Sequence, residues 1–404
     1  MAARSTGMDM AKVGVWILGA SGSVATTAMA GAVALAGRKA MPTGLVTALP
    51  QFRTVKFCTF ESMVFGGHEV REPDLLGELK ALHANSGLLS PEIIKLAAPA
   101  FRRIKKRIRP GTAIACGKPV EKMVALNLIS SKTPAGVVRK IRRDLEDFKK
   151  TTRCDRLVVL NLSSTEPPFK RQACHRSLGA LKKALAKAGP SPLPASSLYC
   201  MAALELGAAY LNFAPSLGPD VPAFAELAEQ TGGLMAGSDG KTGETLCKSV
   251  IAPLFAMRNL HILSWVGHNI FGNRDADVLD DPVNKASKLK SKDHLVRSIV
   301  GYSPETLVTI EKISSMGDWK TAWDHVHYEG FLGTKMIMQF IWQGCDSILA
   351  APLALDLVRL AALALERGER GLMTQTACFF KSPIGVDEQD MFKQFQALET
   401  YLDA

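Results

Sequence analysis

The sequence carries no C-x-x-C pair, no internal repeat, no low-complexity tract and no secretory-type cleavage site. Each absence excludes a class. Eight cysteines, at 58, 116, 154, 174, 200, 247, 345 and 378, fall at unpaired spacings, mostly inside apolar segments. That argues against a disulfide scaffold and for buried thiols in a reducing, cytoplasmic compartment. His175 beside Cys174 has no second pair at ligand spacing, so no zinc site, and no metal of any kind, is expected. The uncharged run Val13–Gly37 is long enough to span a bilayer, but Gly19, Ser21, Gly22 and Ser23 break it near its start. A strand, a glycine turn and a small-residue helix explain it better than a membrane span.

What is present is a large soluble core. The chain has 404 residues, 47% hydrophobic and 22% charged, with a net charge of +11. The basic runs Phe101–Arg109 and Arg139–Lys150 keep apolar residues at helical spacing (Phe101, Ile104, Ile108; Val138, Ile141, Leu145, Phe148). They read as amphipathic helices with a solvated basic face, so no nucleic-acid partner is expected.

Val13–Leu18 reads as a buried strand, followed by Gly19, Ala20, Ser21, Gly22, Ser23 and Val24 and a helix over Thr26–Ala36. Glycines at 19 and 22 with a small Ala25 form a variant of the dinucleotide fingerprint, which predicts NAD at this turn. Further β-like runs at Gly44–Thr47, Met63–Phe65, Thr112–Ala115 and Leu157–Leu162 alternate with helical patterns, predicting an α/β doubly wound parallel sheet. Ser163, Ser164 and Thr165 leave the end of one such strand and form a second candidate wall of the cofactor site. No acid ends the Gly44–Thr47 run, which leaves Glu69 as the candidate for the ribose hydroxyls.

The most informative stretch lies further on. In AGSDGKTGETLCKSVIAPLF the small residues around Gly243 open a helix over Glu244–Ala256, a start that suits an anion. A lysine cluster follows at 285, 288, 290 and 292. A phosphate cradle with several cations nearby suggests a small phosphorylated substrate, with lysines left for proton transfer. Asn259–Gly267 and Glu305–Ile313 alternate like strands around this cluster. Phe340–Leu365 then returns to an apolar helical pattern, split near Pro352, in which Asp346 and Asp356 each need a partner or a ligand.

Taken in order, AGSDGKTGETLCKSVIAPLFAMRNL, GN-x-D, SK-x-x-SK, GYSPETL, GDWKTAWDHV, CDSILAAPLALDLVRL and FFKSP resemble the myo-inositol-1-phosphate synthase family, most densely from Asn212 to Pro383. The resemblance implies a Rossmann-like domain built from both chain ends (1–241 and 337–404), with a β-rich catalytic and tetramerisation domain inserted over 242–336. It implies NAD as a recycled cofactor and a homotetramer. It also implies an isomerase that oxidises glucose 6-phosphate at C5, enolises it at C6, closes the ring by an aldol step and reduces C5 again. On that resemblance Lys288, Lys292, Lys320, Lys381 and Asp346 are catalytic. Thr242, Gly243, Glu244 and Thr245 grip the phosphate, and Asp239, Asn273, Asp275 and Asp318 lie near the nicotinamide. The sequence departs from the family at Gly66-Gly67-His68-Glu69, at Ala276 and at Ser163-Ser164-Thr165. These departures leave open a same-fold cyclase acting on another sugar phosphate, such as fructose 6-phosphate.

Overall fold

The computed structural model describes residues 11–273 and 295–404. Its larger sheet has seven strands, all parallel: β1 (Val13–Leu18), β2 (Met63–Glu69), β3 (Ile108–Pro110), β4 (Arg156–Asn161), β5 (Ala209–Asn212), β6 (Leu234–Gly237) and β11 (Gly371–Leu372). They lie in the order β11-β6-β5-β4-β1-β2-β3. The chain winds outward from β1 to β3, crosses back to β4 and winds the other way, so the switch point falls between β1 and β4. Ligands of such sheets bind there, beyond the strands' C-terminal ends.

Helices cover both faces. On one, Ser23–Ala36 and Asp346–Glu366 bury their small and aliphatic residues against β1, β4 and β5. On the other, Pro134–Thr152, Ala195–Leu204 and Ala223–Thr231 close a second core. A sheet covered on both faces has buried strands throughout, which is why β1 reads VGVWIL with every residue buried. Asp346–Glu366 is long and apolar enough to cross a membrane, yet most of it is buried in this core.

The second sheet has four strands in the order β10-β9-β7-β8: β7 (His261–Phe271), β8 (Glu305–Lys312), β9 (Trp319–Glu329) and β10 (Lys335–Cys345). The helix Gly243–Met257 packs on its inner face, where Phe255, Trp265 and Val326 are buried. Since β11 and the helix Asp346–Glu366 rejoin the first sheet, that layer takes residues from both sides of the second one.

Three sequence expectations are corrected. Gly44–Thr47 is no strand but leads into a 3-10 turn at Val46–Ala48, whose amides are taken by Asp356. Thr112–Ala115 is a loop after β3, its first amide donating to the Tyr199 hydroxyl at 3.0 Å. Phe340–Leu365 is not one helical run. Residues up to Cys345 belong to β10, paired along its length with β9, so the first layer resumes at Asp346 and a junction at 336–337 falls inside a strand. Pro352 sits inside the following helix without ending it, its ring against Gly44.

Candidate functional site

The turn after β1 is held from below by the end of β2. Gly19 N and Ala20 N donate to the His68 carbonyl at 3.1 and 3.3 Å, and Ser21 N donates to Glu69 Oε2 at 2.8 Å. Gly19 has φ +72°, and a Cβ there would stand 3.0 Å from the Ser163 backbone, so the turn needs glycine on two counts. His68 is itself fixed. Its Nδ1 accepts from Trp16 Nε1 at 3.0 Å, so Nε2 carries the hydrogen and faces Asp144 at 3.1 Å, while burial pushes its pKa down. Arg109 also pairs with Asp144. The helix Ser23–Ala36 starts at Gly22, and among the described residues no side chain caps it. Ser21 Oγ is buried there with no hydrogen-bond partner among them. Open amides and an unused hydroxyl at a helix start fit the phosphates of a dinucleotide.

A cleft of about 250 Å³ opens above this turn. Its cofactor-side wall includes Gly19, Gly22, Ser23, Val24 and Glu69, faced by Ser163, Ser164 and Thr165 after β4. Ala20 and Ser21 lie behind that wall. At the other end Asp239, Thr242, Asn273, Lys320, Asp346 and Lys381 line the same space. Residues from both sheets thus converge on one cavity.

At that end Lys381 Nζ stands 2.8 Å from Asp239 Oδ1, both side chains buried, and Lys381 N also donates to the Asp239 carbonyl. Lys320, on β9, is buried with its Nζ 5.1 Å from the Phe271 ring centroid. Asp318 sits just behind, accepting from Ser347 N and Ser347 Oγ, each at 2.9 Å, and from Asn273 Nδ2 at 3.4 Å. Burial pushes its carboxyl up to about 6, with Asp346 adding to the rise. Thr242 leads into the helix Gly243–Met257, whose first turn has no side-chain cap among the described residues.

Gly243, Glu244 and Thr245 follow Thr242 at the helix start but do not themselves line the cleft. Gly243 has φ +59°, and a Cβ there would meet the Trp342 ring at 3.1 Å. The Glu244 carboxylate turns toward the second sheet and pairs with Lys248 at 2.6 Å, in a cluster with Asp324 and Trp265. Lys241, in the same motif, reaches Gln394 Oε1 on the C-terminal helix at 2.5 Å; burial lowers its pKa to about 8. Asp275, Lys288 and Lys292 lie outside the described residues.

Two cleft residues escaped sequence reasoning. Glu166 is buried, accepting from Ser196 N at 2.8 Å and Ser196 Oγ at 2.5 Å, and burial raises its carboxyl to about 7. Arg71 reaches back from beyond β2 to the Ser21 carbonyl at 2.9 Å. The only local signals were an acid in an otherwise uncharged loop and a base two residues after Glu69.

The comparisons with known proteins point to one family. A family model described as myo-inositol-1-phosphate synthase, an NAD-binding family, matches residues 13–402. The inositol-3-phosphate synthase 1 of Bacteroides thetaiotaomicron is 32% identical over 97% of this chain and 95% of its own length. The inositol-3-phosphate synthase 1-A of Xenopus laevis is 31% identical over 57% of this chain, which spans 42% of that protein. Among solved structures, a myo-inositol-1-phosphate synthase-related protein from Thermotoga maritima superposes with a TM-score of 0.79 at 25% identity, covering 97% of this chain and 98% of its own. The Caenorhabditis elegans inositol-3-phosphate synthase shares the fold, with a TM-score of 0.85 at 21% identity over 98% of this chain and 86% of its own.

Proposed function

This chain belongs to the myo-inositol-1-phosphate synthase family, and on that premise we propose that it is an intramolecular isomerase that cyclises D-glucose 6-phosphate to 1D-myo-inositol 3-phosphate. The observation that carries this reading is the convergence of the glycine turn with Lys381, Asp239, Lys320 and Thr242 in one cleft. NAD, when bound, supplies a hydride acceptor at C5 of the sugar and the same hydride for its return.

The chain's own residues supply the rest. Gly19–Val24 and the open start of the helix Ser23–Ala36 hold the pyrophosphate, with Glu69 beneath the turn and Ser163–Thr165 opposite. Asp239, Asn273, Asp275 and Asp318 flank the nicotinamide end. Lys381 exchanges the proton on the C5 oxygen, and Asp239 Oδ1, 2.8 Å away, fixes the amine's position. Lys288 supports the C1 oxygen as the ring closes, where negative charge develops. Lys320 and Lys292, with Thr242 and the amides of Gly243, Glu244 and Thr245, bind the phosphate, and Asp346 orients the reacting sugar at the cleft wall.

Two further readings belong here. The chain assembles as a homotetramer through the outer face of the second sheet, where Leu307, Ile337 and Ile341 are exposed. It works in the cytoplasm, a reading supported by eight free thiols.

The test supplies glucose 6-phosphate deuterated at C5, with NAD⁺ in catalytic amount. We expect an inositol phosphate that retains the deuterium and no net accumulation of NADH. Stoichiometric NADH would mark an ordinary dehydrogenase and overturn the reading.

A further inference from the structure

The end of the second strand in a doubly wound sheet is where the adenosine ribose is read. An acid there accepts from the 2′-hydroxyl, whereas a nearby arginine accommodates a 2′-phosphate. This chain has both side chains at the end of β2, and the structure gives them unequal freedom.

Glu69 is buried and committed to the turn. Its Oε2 accepts from Ser21 N at 2.8 Å, and its Oε1 accepts from Val70 N at 2.9 Å and Arg71 N at 3.4 Å. Three amides, with Arg71 Nε 3.8 Å from Oε1, compensate its charge inside the protein. A carboxylate so neutralised repels an incoming phosphate far less than a bare one. Arg71, in contrast, lines the cleft with its side chain 26% exposed. One of its donors goes to the Ser21 carbonyl at 2.9 Å, and Nε stands 3.8 Å from Glu69 Oε1, beyond hydrogen-bond length, so the guanidinium is anchored without being saturated. A guanidinium carries five N–H donors in a fixed fork that matches phosphate geometry. The neighbouring wall is apolar, with Val70, Val120 and Met123 suited to the flat face of an adenine.

We propose that Arg71 is a specificity-determining residue that receives a phosphate at the ribose 2′ position, so that this site binds NADP as well as NAD. The inference rests on the dinucleotide reading of the glycine turn.

Titration calorimetry on the purified chain, with NAD⁺ and NADP⁺ in parallel, tests it without turnover. The two dissociation constants should lie within about tenfold of each other. Adenosine 2′,5′-bisphosphate should bind more tightly than AMP. Arg71→Ala should raise the ratio of the NADP⁺ to the NAD⁺ dissociation constant at least about tenfold, with Arg71→Lys in between, because the charge remains but the fork is lost. Should the alanine variant fail to fold, the wild-type ratio, the bisphosphate probe and Arg71→Lys decide alone. NADP⁺ bound more than about 100-fold more weakly than NAD⁺ by the wild type would overturn the inference and leave the cofactor reading intact. So would equal losses for both cofactors in Arg71→Ala, since Arg71 would then only brace the turn. Binding of neither cofactor would overturn the dinucleotide reading and this inference with it.

Discussion

A lysine and an aspartate buried against each other set the character of the cleft's reacting end. Lys381 and Asp239 are both largely withdrawn from water, and each is the other's compensation at 2.8 Å. Removing one partner leaves an uncompensated buried charge, which costs about 3–5 kcal/mol. Lys381→Met should therefore lower both stability and turnover. Adding Asp239→Asn should restore most of the stability and none of the turnover, because the proton-exchanging amine remains absent. The expected turnover loss is about 100-fold or more. Denaturant melts and initial rates on the single and double variants separate the two effects; a double variant that regains activity would remove Lys381 from the chemistry. At this scale the sequence was partly readable. FFKSP marks Lys381 through a resemblance, but nothing local pairs it with Asp239, which lies far back in the chain. Glu166 was missed for the same reason, since its partners on Ser196 are distant in sequence. Glu69 was legible as an acid near a strand end. Its bond to the Ser21 amide depends on how β1 and β2 align, which no local pattern encodes.

At the scale of elements, periodicity succeeded where one face alone meets the core. Arg139–Lys150 sits in the helix Pro134–Thr152, and β1, β2 and β4 stand close to their expected positions, whereas Phe101–Arg109 is helical only to Lys105 and its Ile108 and Arg109 belong to β3. Periodicity failed at β10, where Phe340–Cys345 runs straight into the apolar helix Asp346–Glu366 with no intervening loop, so two elements read as one. It failed also at Gly44–Thr47, because the 3-10 turn there is fixed by Asp356 rather than by its own residues. Asp356 is fully buried on the long helix and accepts from Val46 N at 2.7 Å, Thr47 N at 3.0 Å and Thr47 Oγ1 at 2.5 Å. Burial raises its carboxyl from 3.8 to about 6. The folded chain therefore holds this proton more tightly than the unfolded chain. The associated stability is complete below pH 3.8 and is lost as pH rises through about 6. Asp356→Asn should flatten the fall in stability over that window by on the order of 1–3 kcal/mol. Urea melts at several pH values read the slope, and a variant as steep as the wild type would mean that other carboxyls carry it.

On the scale of the whole molecule, the two sheets are finished to different degrees. Among the described residues, the parallel sheet is covered on both faces and the second on one. On its outer face His268 stacks on Trp323 with ring centroids 5.6 Å apart, and Trp323 lies opposite Ile341 across the β9–β10 pair. In the next row Val266 stands between His325 and Leu307. Ile341, Ile337 and Leu307 are 71%, 58% and 51% exposed on the face that carries this aromatic pair. Polar residues such as Thr321, Gln339 and Gln343 share this face, as expected of a sheet side that meets water, but the apolar residues among them are large and exposed. Such a surface marks a contact with another protein, and a second copy of this chain offers a self-complementary match. Sequence alternation disclosed β7 and β8 but not which of their faces meets solvent. If the face is an interface between copies, the wild type should elute as a tetramer by light scattering over a wide concentration range. The pair Ile341→Glu and Ile337→Lys should yield smaller species with unchanged circular dichroism, since neither position is buried within the chain. Each charge so placed would have to be desolvated in the assembly at a cost of several kcal/mol, enough to reverse association at micromolar concentrations. A wild type that is monomeric at every concentration would refute the assignment. So would a doubly charged variant that stays tetrameric.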